Sequence, residues 1–311
     1  MNELNLREAD KLEVTVLVDN YTDMFMEQSS EIDIRPPFAP EKPILAEHGL
    51  SCFIKIFAGS EEHVILMDAG ISAECLFQNA NALNIDLNNV ETVVLSHGHF
   101  DHIGGLLKFM NSVSGEIPLA LHPEAFLERR INNPAASAPI PVPGLNEEVL
   151  KQTGAEIIKC RGPSTLASEL ILMTGEVERT TTFENGFPWA EVKINGKWGV
   201  DPFNDDQGLV INMKDKGLVV ISGCAHAGII NTVTYAQKIT KKDKVHAVLG
   251  GFHLTGPLFE PIIKPTIKEM ERINPDYVVP MHCTGWNSIN KFKEKMPEKV
   301  VLNTVGTTYV F

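Results

Sequence analysis

The chain has 311 residues, of which 43% are hydrophobic and 22% charged, a globular composition rather than a disordered or fibrous one. Its 27 Lys and Arg against 40 Asp and Glu leave a net charge of −13, the wrong sign for neutralising phosphate backbones, so no nucleic-acid partner is expected. No apolar run approaches the roughly 18 residues a membrane span needs, and residues 1–12 are charged throughout without a signal-peptide core. The expectation is a cytoplasmic protein with a small-molecule partner, no membrane association and the option of a homo-oligomer. The 5 cysteines are odd in number and widely spaced, which predicts reduced thiols rather than a disulfide framework. The 10 histidines matter more, because several sit in short glycine-bounded loops.

In chain order, residues 12–18 alternate and are β-branched, predicting a strand, and 51–57 predict a second after the loop Glu47-His48-Gly49-Leu50. Between them Pro36, Pro37, Pro40 and Pro43 exclude helix and central strand, since proline removes a donor and restricts its predecessor. A strand over 63–67 delivers Asp68-Ala-Gly70 to its end. Residues 73–83 predict a helix, and 90–95 a strand ending at Ser96, an α/β alternation. Helices are expected over 106–110 and 124–130, with a short strand at 118–121. The uncharged, proline-rich 131–144 reads as a loop over a site, so one domain over 1–311 is expected, with an inserted or lid region at about 124–185. Short strands follow at 156–159, 169–173, 191–194, 209–212 and 218–221, with turns at Asn195-Gly196 and 214–217. The last third returns to α/β: strand 245–249, helix 261–273, strand 277–279 and a final strand near 307–311.

The strongest chemical signal is Ser96-His97-Gly98-His99-Phe100-Asp101-His102-Ile103-Gly104-Gly105. Three imidazoles and a carboxylate in six residues after a buried strand are hard to explain as packing. His97 and His99, two apart in an extended loop, can reach one cation, while Asp101 and His102 at the turn into the next helix face a neighbouring position. Neutral imidazole with carboxylate is what zinc, iron(II) or manganese accept, and Gly98, Gly104 and Gly105 let the backbone fold tightly around the ions.

This His-x-His-x-Asp-His block resembles the signature of the metallo-β-lactamase superfamily, and Met67-Asp68-Ala69-Gly70 is similar to that superfamily's first motif, whose aspartate supports the metal-binding histidines. The resemblance implies an αββα sandwich, a four-layer α/β fold with two divalent metal ions (zinc, iron or manganese) at one sheet edge. It implies metal-ligand roles for His97, His99, Asp101 and His102. Later strand ends also carry histidine: Gly223-Cys224-Ala-His226, Gly250-Gly-Phe-His253 and Pro280-Met-His282. His282 matches the family's closing motif, and His226 is placed with the later ligands. The chain departs from the family where Gly223-Cys224 stands in place of a Gly-Asp pair whose aspartate bridges both metals, and no histidine lies between His122 and His226. The third ligand of the first metal is therefore open: His226 replaces either missing ligand, Cys224 coordinates as thiolate or stays a buried thiol, or Asp205 or Asp206 supplies oxygen. A narrower set, including Glu47-His-Gly-Leu-Ser51, Leu172-Met-Thr-Gly-Glu176 and His282-Cys-Thr-Gly285, resembles the branch related to the dihydropterin-ribofuranosylaminobenzene phosphate synthases.

The implied chemistry is hydrolysis, because two metals about 3.5 to 4 Å apart lower the pKa of a bridging water and polarise the electrophile. No Gly-x-Ser-x-Gly elbow or P-loop competes. His253 lies beyond the usual ligand set and reads as a substrate-facing acid or oxyanion donor, a third metal ligand, or a loop histidine. His48 invites a similar reading at the rim, and Glu176 with Arg179 either contacts substrate or forms a solvated turn. The expectation is a metal-dependent hydrolase acting, through a metal-bridged hydroxide, on a phosphodiester or cyclic phosphate of a small molecule such as a pterin or nucleotide derivative. The alternatives are an iron-dependent redox enzyme on the same fold, against which His99 stands where the flavodiiron branch has glutamate, and a non-catalytic metal-binding sensor.

Overall fold

A computed structural model describes residues 5–113 and 115–311. Among these residues the strands form three sheets, of eight, seven and four strands. The eight-stranded sheet runs Glu156–Lys159, Pro118–Leu121, Thr92–Val94, Glu61–Met67, Ser51–Ala58, Lys11–Val18, Thr308–Val310 and Asp33–Ile34. The seven-stranded sheet runs Ser164–Leu166, Ile171–Met173, Gly208–Met213, Gly217–Ser222, Val245–Gly251 and Tyr277–Met281, with Glu8–Ala9 paired alongside Gly208–Met213.

Period-2 alternation decides what each face buries. Val14, Val16, Ile54, Ile56, Ile65 and Met67 of the first sheet share one apolar cluster with Leu209, Ile211, Val219 and Ile221 of the second, so the two sheets pack face to face. Their sequence neighbours point outward. Leu17, Phe53 and Leu66 pack under the helices Ala73–Ala82 and Leu106–Ser112, while Val210, Leu218 and Val220 pack under Ile229–Thr240, Glu260–Ile273 and Trp286–Lys295. The result is the expected four-layer helix-sheet-sheet-helix sandwich. Each fully buried Leu or Ile contributes about 1.5 to 3 kcal/mol, so the two outer clusters anchor the helices that the short loops at the sheet edge depend on.

The stretch 124–185 does not form one inserted body. Glu156–Lys159 joins the eight-stranded sheet beside Pro118–Leu121, and Ser164–Leu166 with Ile171–Met173 joins the seven-stranded one. The separate small sheet is built from Arg129–Ile131 and Ile140–Val142 together with Ala190–Ile194 and Lys197–Val200, the last two lying beyond residue 185. The helix expected over 124–130 is a short 3-10 turn, Pro123–Phe126, followed by the strand Arg129–Ile131. Arg129 explains the change. Its guanidinium is buried between Asp201 (Nε to Oδ2, 2.7 Å) and Asp205 (Nη2 to Oδ1, 2.8 Å), which draws this segment onto the Asp201–Asp206 loop.

Candidate metal centre

The candidate residues converge where strands of both main sheets end. Asp68 follows Glu61–Met67, the His97–His102 block follows Thr92–Val94, Cys224 and His226 follow Gly217–Ser222, His253 follows Val245–Gly251, and His282 follows Tyr277–Met281. Asp68, Ala225, His253 and His282 all adopt left-handed backbone, with φ of 60°, 53°, 46° and 51°. Such strain in non-glycine residues costs on the order of 1–3 kcal/mol each and collects where a fold aims side chains at a site.

Two glycines make the block compact. A Cβ on Gly98 would lie 2.2 Å from the carbonyl oxygen of Ala125, and one on Gly104 would lie 2.0 Å from that of Ile71, so only hydrogen fits at either position. Asp205 then fixes the loop by accepting from the Gly98 N–H at 2.9 Å.

Two donor sets result. His97, His99 and His226 bring ligand atoms within 4.8 Å of one another, and so do Asp101, His102, Cys224 and His282. A third group joins Cys224 and His226 to His253. His226 therefore stands with the His-x-His pair, while Cys224 stands with Asp101, His102 and His282. Between them, Ala225 makes a left-handed turn, so the two flanking side chains reach different main groups while both remain near His253.

The contacts within these groups fit a cation. Nε2 of His226 lies 3.1 Å from Nδ1 of His99, two ring nitrogens facing each other, while Nε2 of His97 and Nδ1 of His226 are buried without a hydrogen-bond partner. Burial, reinforced by neighbouring histidines, pushes the pKa of His97 and His226 well below the usual imidazole value, and burial beside Arg129 lowers His99 to about 3. These rings are neutral near pH 7, as metal ligation requires. Burial opposes the charge of Asp101, but His102, His282 and His48 outweigh it and hold the carboxylate well below its usual range. Burial likewise opposes a charged His102, yet Asp68 and Asp101 raise it to about 9, so without a cation the ring carries both protons and binding a metal through Nε2 would release one of them.

Asp68 is fully buried and orients the whole block. Its carboxylate accepts from the Ser96 N–H (2.8 Å) and the Ser96 hydroxyl (2.6 Å), and lies 2.7 Å from Nδ1 of His102, leaving Nε2 of that ring 3.2 Å from the Cys224 sulfur. The Cys224 thiol is buried and pushed up by that burial. On the far side Asp19 accepts from the His282 N–H at 2.8 Å, and His282 Nε2 lies 3.4 Å from Asp101. Asp19 and Arg129 are positioning residues that the motif reading missed, while Ser96, which opens the block, and Asp205, expected as a candidate oxygen ligand, position the block and stand outside the donor groups. The signal for Asp19 was present, since it ends the strand Lys11–Val18 as the other site residues end theirs.

The remaining expected residues divide. His48 sits at the rim, its side chain 55% exposed, with Nε2 3.4 Å from Asp101, a contact that raises its pKa. The His253 ring lies 4.2 Å from that of His226 at a tilt of 52°, and both its nitrogens lack hydrogen-bond partners. Asp206 is buried and belongs to none of the donor groups; it accepts from the Ala227 N–H at 3.0 Å, and burial raises its pKa to about 7. Glu176 also stands outside them, held by Arg161 (3.1 Å) and His122 (3.2 Å). Arg179 donates to the Pro202 carbonyl oxygen at 2.7 Å.

The sandwich with this loop cluster at its edge defines a class, and sequence comparison agrees: the profile of the metallo-beta-lactamase superfamily matches residues 50–168, and the chain belongs to that superfamily. Within it, the chain is 30% identical over 298 residues to the 7,8-dihydropterin-6-methyl-4-(beta-D-ribofuranosyl)-aminobenzene-5'-phosphate synthase of Methanocaldococcus jannaschii, covering 95% of each protein. An uncharacterized protein of the same archaeon is 31% identical over 259 residues, covering 81% of this chain and 90% of that one. The fold is shared with Tm1679, a metal-dependent hydrolase of the beta-lactamase superfamily, at TM-score 0.73 and 24% identity over 96% of this chain and 98% of that one. It is shared also with the metallo-beta-lactamase fold protein YhfI from Bacillus subtilis, at TM-score 0.52 and 13% identity over 96% and 99% of the two chains. No helix among the described residues is long and apolar enough to cross a membrane.

Proposed function

We propose that the chain is a metal-dependent hydrolase of a small-molecule phosphodiester or cyclic phosphate ester, with a pterin- or nucleotide-like substrate. The observation that carries this reading is the meeting of two donor groups, His97 with His99 and His226, and Asp101 with His102, Cys224 and His282, on adjacent loops. These residues would hold two divalent cations, zinc, iron or manganese, which when bound supply an acidified water and a polarised ester. The chain's own residues do the rest. Asp68 holds the proton of His102 on Nδ1, so that Nε2 faces the site. His253, its nitrogens unpartnered, is available to hand a proton to the leaving oxygen. His48 at the rim gains basicity from Asp101 and offers positive charge to an anionic ester. The reading takes the chain as one domain, because candidate ligands run from His97 to His282 and the strand Thr308–Val310 pairs with Lys11–Val18.

Similarity to a synthase named for a dihydropterin compound that carries a ribofuranosyl 5'-phosphate favours the substrate class. The test is metal content together with turnover of bis-p-nitrophenyl phosphate. Bound divalent metal with turnover that His97→Ala and Asp101→Ala each abolish is expected; an iron-only protein inert to esters but consuming oxygen would sink the hydrolase reading.

A further inference from the structure

A cavity of about 360 Å³ adjoins the metal centre on the outer side of His282, within the roughly 300–1,000 Å³ range of small-molecule pockets. The proposed chemistry makes no use of it. Its lining includes Asn20, Tyr21, His282, Trp286, Ile289 and Asn303. Two segments build it. The strand Lys11–Val18 ends in Asp19-Asn20-Tyr21, and the strand Tyr277–Met281 ends in His282 before the helix Trp286–Lys295 begins. Gly285 makes that second turn, with φ of 76° and a would-be Cβ 2.6 Å from the Thr255 hydroxyl, so the position of Trp286 is set by a residue that only glycine can be.

The walls are aromatic and the floor is spent. The Tyr21 and Trp286 rings meet at 5.7 Å with a tilt of 42°, too oblique to cover each other's faces, and Trp286 remains 56% exposed. The Tyr21 hydroxyl donates to Asp23 at 3.1 Å, which fixes its ring. Below them Asp19 accepts from the His282 N–H and from Asn303 (2.6 Å), and Asn303 accepts from the Tyr309 hydroxyl (2.9 Å). Asn20 is engaged with the His282 carbonyl oxygen and with His48, each at 3.3 Å. The polar groups of Asp19, Asn20, Tyr21 and Asn303 are engaged, and the unpartnered Nε2 of His282 lies toward Asp101 and the donor cluster, so the free recognition element of the outer wall is π-surface. Because His282 lines the cavity and also reaches Asp101 at 3.4 Å, a group bound there lies next to the donor cluster.

We propose that this cavity receives a planar aromatic or heteroaromatic ring of the substrate, with Trp286 as the stacking face and Tyr21 as the second wall. The inference rests on the proposed reading for the position of the ester, and on the cavity itself for the ring. Stacking on an aromatic side chain is tolerant of ring identity, which suits a site whose edge-directed hydrogen bonds are already used.

The experiment is a ligand-observed NMR titration of the metal-loaded protein with 6-hydroxymethylpterin and with adenosine, and with cyclohexylmethanol as the non-planar control. At least one planar ring is expected to bind, the control is expected not to, and Trp286→Ala is expected to weaken ring binding about tenfold. Trp286→Phe, which keeps a stacking face, is expected to stay within about threefold of wild type. Failure of both rings to bind, equal binding of the control, or an unchanged Kd in Trp286→Ala overturns the inference. Ring binding without turnover of bis-p-nitrophenyl phosphate leaves it standing while the hydrolase reading fails; turnover with ring binding indifferent to Trp286 does the reverse.

Discussion

Asp68→Asn probes the hinge of the site with the smallest change in shape. The wild-type carboxylate, fully buried, accepts from the Ser96 N–H at 2.8 Å and from the Ser96 hydroxyl at 2.6 Å, and faces Nδ1 of His102 at 2.7 Å. An asparagine oxygen can keep the Ser96 N–H, but its NH2 then replaces the oxygen that faced His102 and the hydroxyl. To accept from that NH2, His102 must give up its Nδ1 proton and carry one on Nε2, the atom that faces Cys224 at 3.2 Å. A ring protonated there is not a metal ligand. Loss of such an orienting carboxylate costs about 10–100-fold in metal affinity, equivalent to about 1.4–2.7 kcal/mol. Competition of wild type and variant against a chelator for zinc, with circular dichroism to confirm folding, reads this directly. A zinc Kd for the variant within threefold of wild type would refute the orienting role of Asp68.

Two further outcomes follow from groups away from the ligands. Glu184 is buried and accepts from the Ile230 and Asn231 N–H groups at 2.9 Å each, and burial pushes its pKa up to about 7. A carboxyl raised in the fold stabilises below its unfolded pKa near 4.5 and loses that contribution as pH rises through 7, at about 1.4 kcal/mol per unit. Glutamine does not titrate, so the stability of Glu184→Gln relative to wild type is expected to improve between pH 4.5 and 7 in urea unfolding, and parallel curves would contradict the shift. Gly104→Ala puts a methyl 2.0 Å from the Ile71 carbonyl oxygen; overpacking of this kind costs roughly 1–3 kcal/mol, and an unchanged Tm would show that the block is not held that tightly.

What could be read from sequence was what lies close in the chain. Alternation located the strands whose two faces feed different clusters, and the His97–His102 block is one short stretch, a loop running into the helical turn Phe100–Ile103. The small sheet was not legible, because Arg129–Ile131 finds its partner Ala190–Ile194 across some sixty intervening residues and through a buried ion pair. The helix Ile229–Thr240 was missed for a related reason. Ile229, Ile230, Val233 and Thr240 read as strand formers, yet Glu184 supplies the acceptors for its first turn and the sheet buries its apolar face. The division of labour between Cys224 and His226 was equally hidden. Two residues apart, they look like one motif, yet around the left-handed Ala225 one joins Asp101, His102 and His282 and the other His97 and His99, while both also lie near His253.

The acidic charge also changes meaning once the interior is known. Among the described residues, Asp19, Asp33, Asp68, Asp101, Glu184, Asp201, Asp205 and Asp206 are buried, and Arg129 is the buried member of the Lys and Arg set. Much of the net −13 is thus inside, so it describes the scaffold of the site more than the field at the surface. Of these carboxylates Asp68 turns His102, Asp19 holds His282, Asp205 holds the loop of His97, and Asp101 joins the donor set itself. The Arg35 side chain, 7% exposed, pairs with Asp33 at 2.8 Å, and Arg129 pairs with Asp201 and Asp205, which leaves Asp68 and Asp101 facing histidines instead of guanidinium groups. Under the proposed reading, divalent cations held by the two donor groups would add positive charge beside Asp101. The acidic composition and the histidine-rich loops are therefore two aspects of one arrangement, in which buried carboxylates aim the imidazoles and loops of the two donor groups.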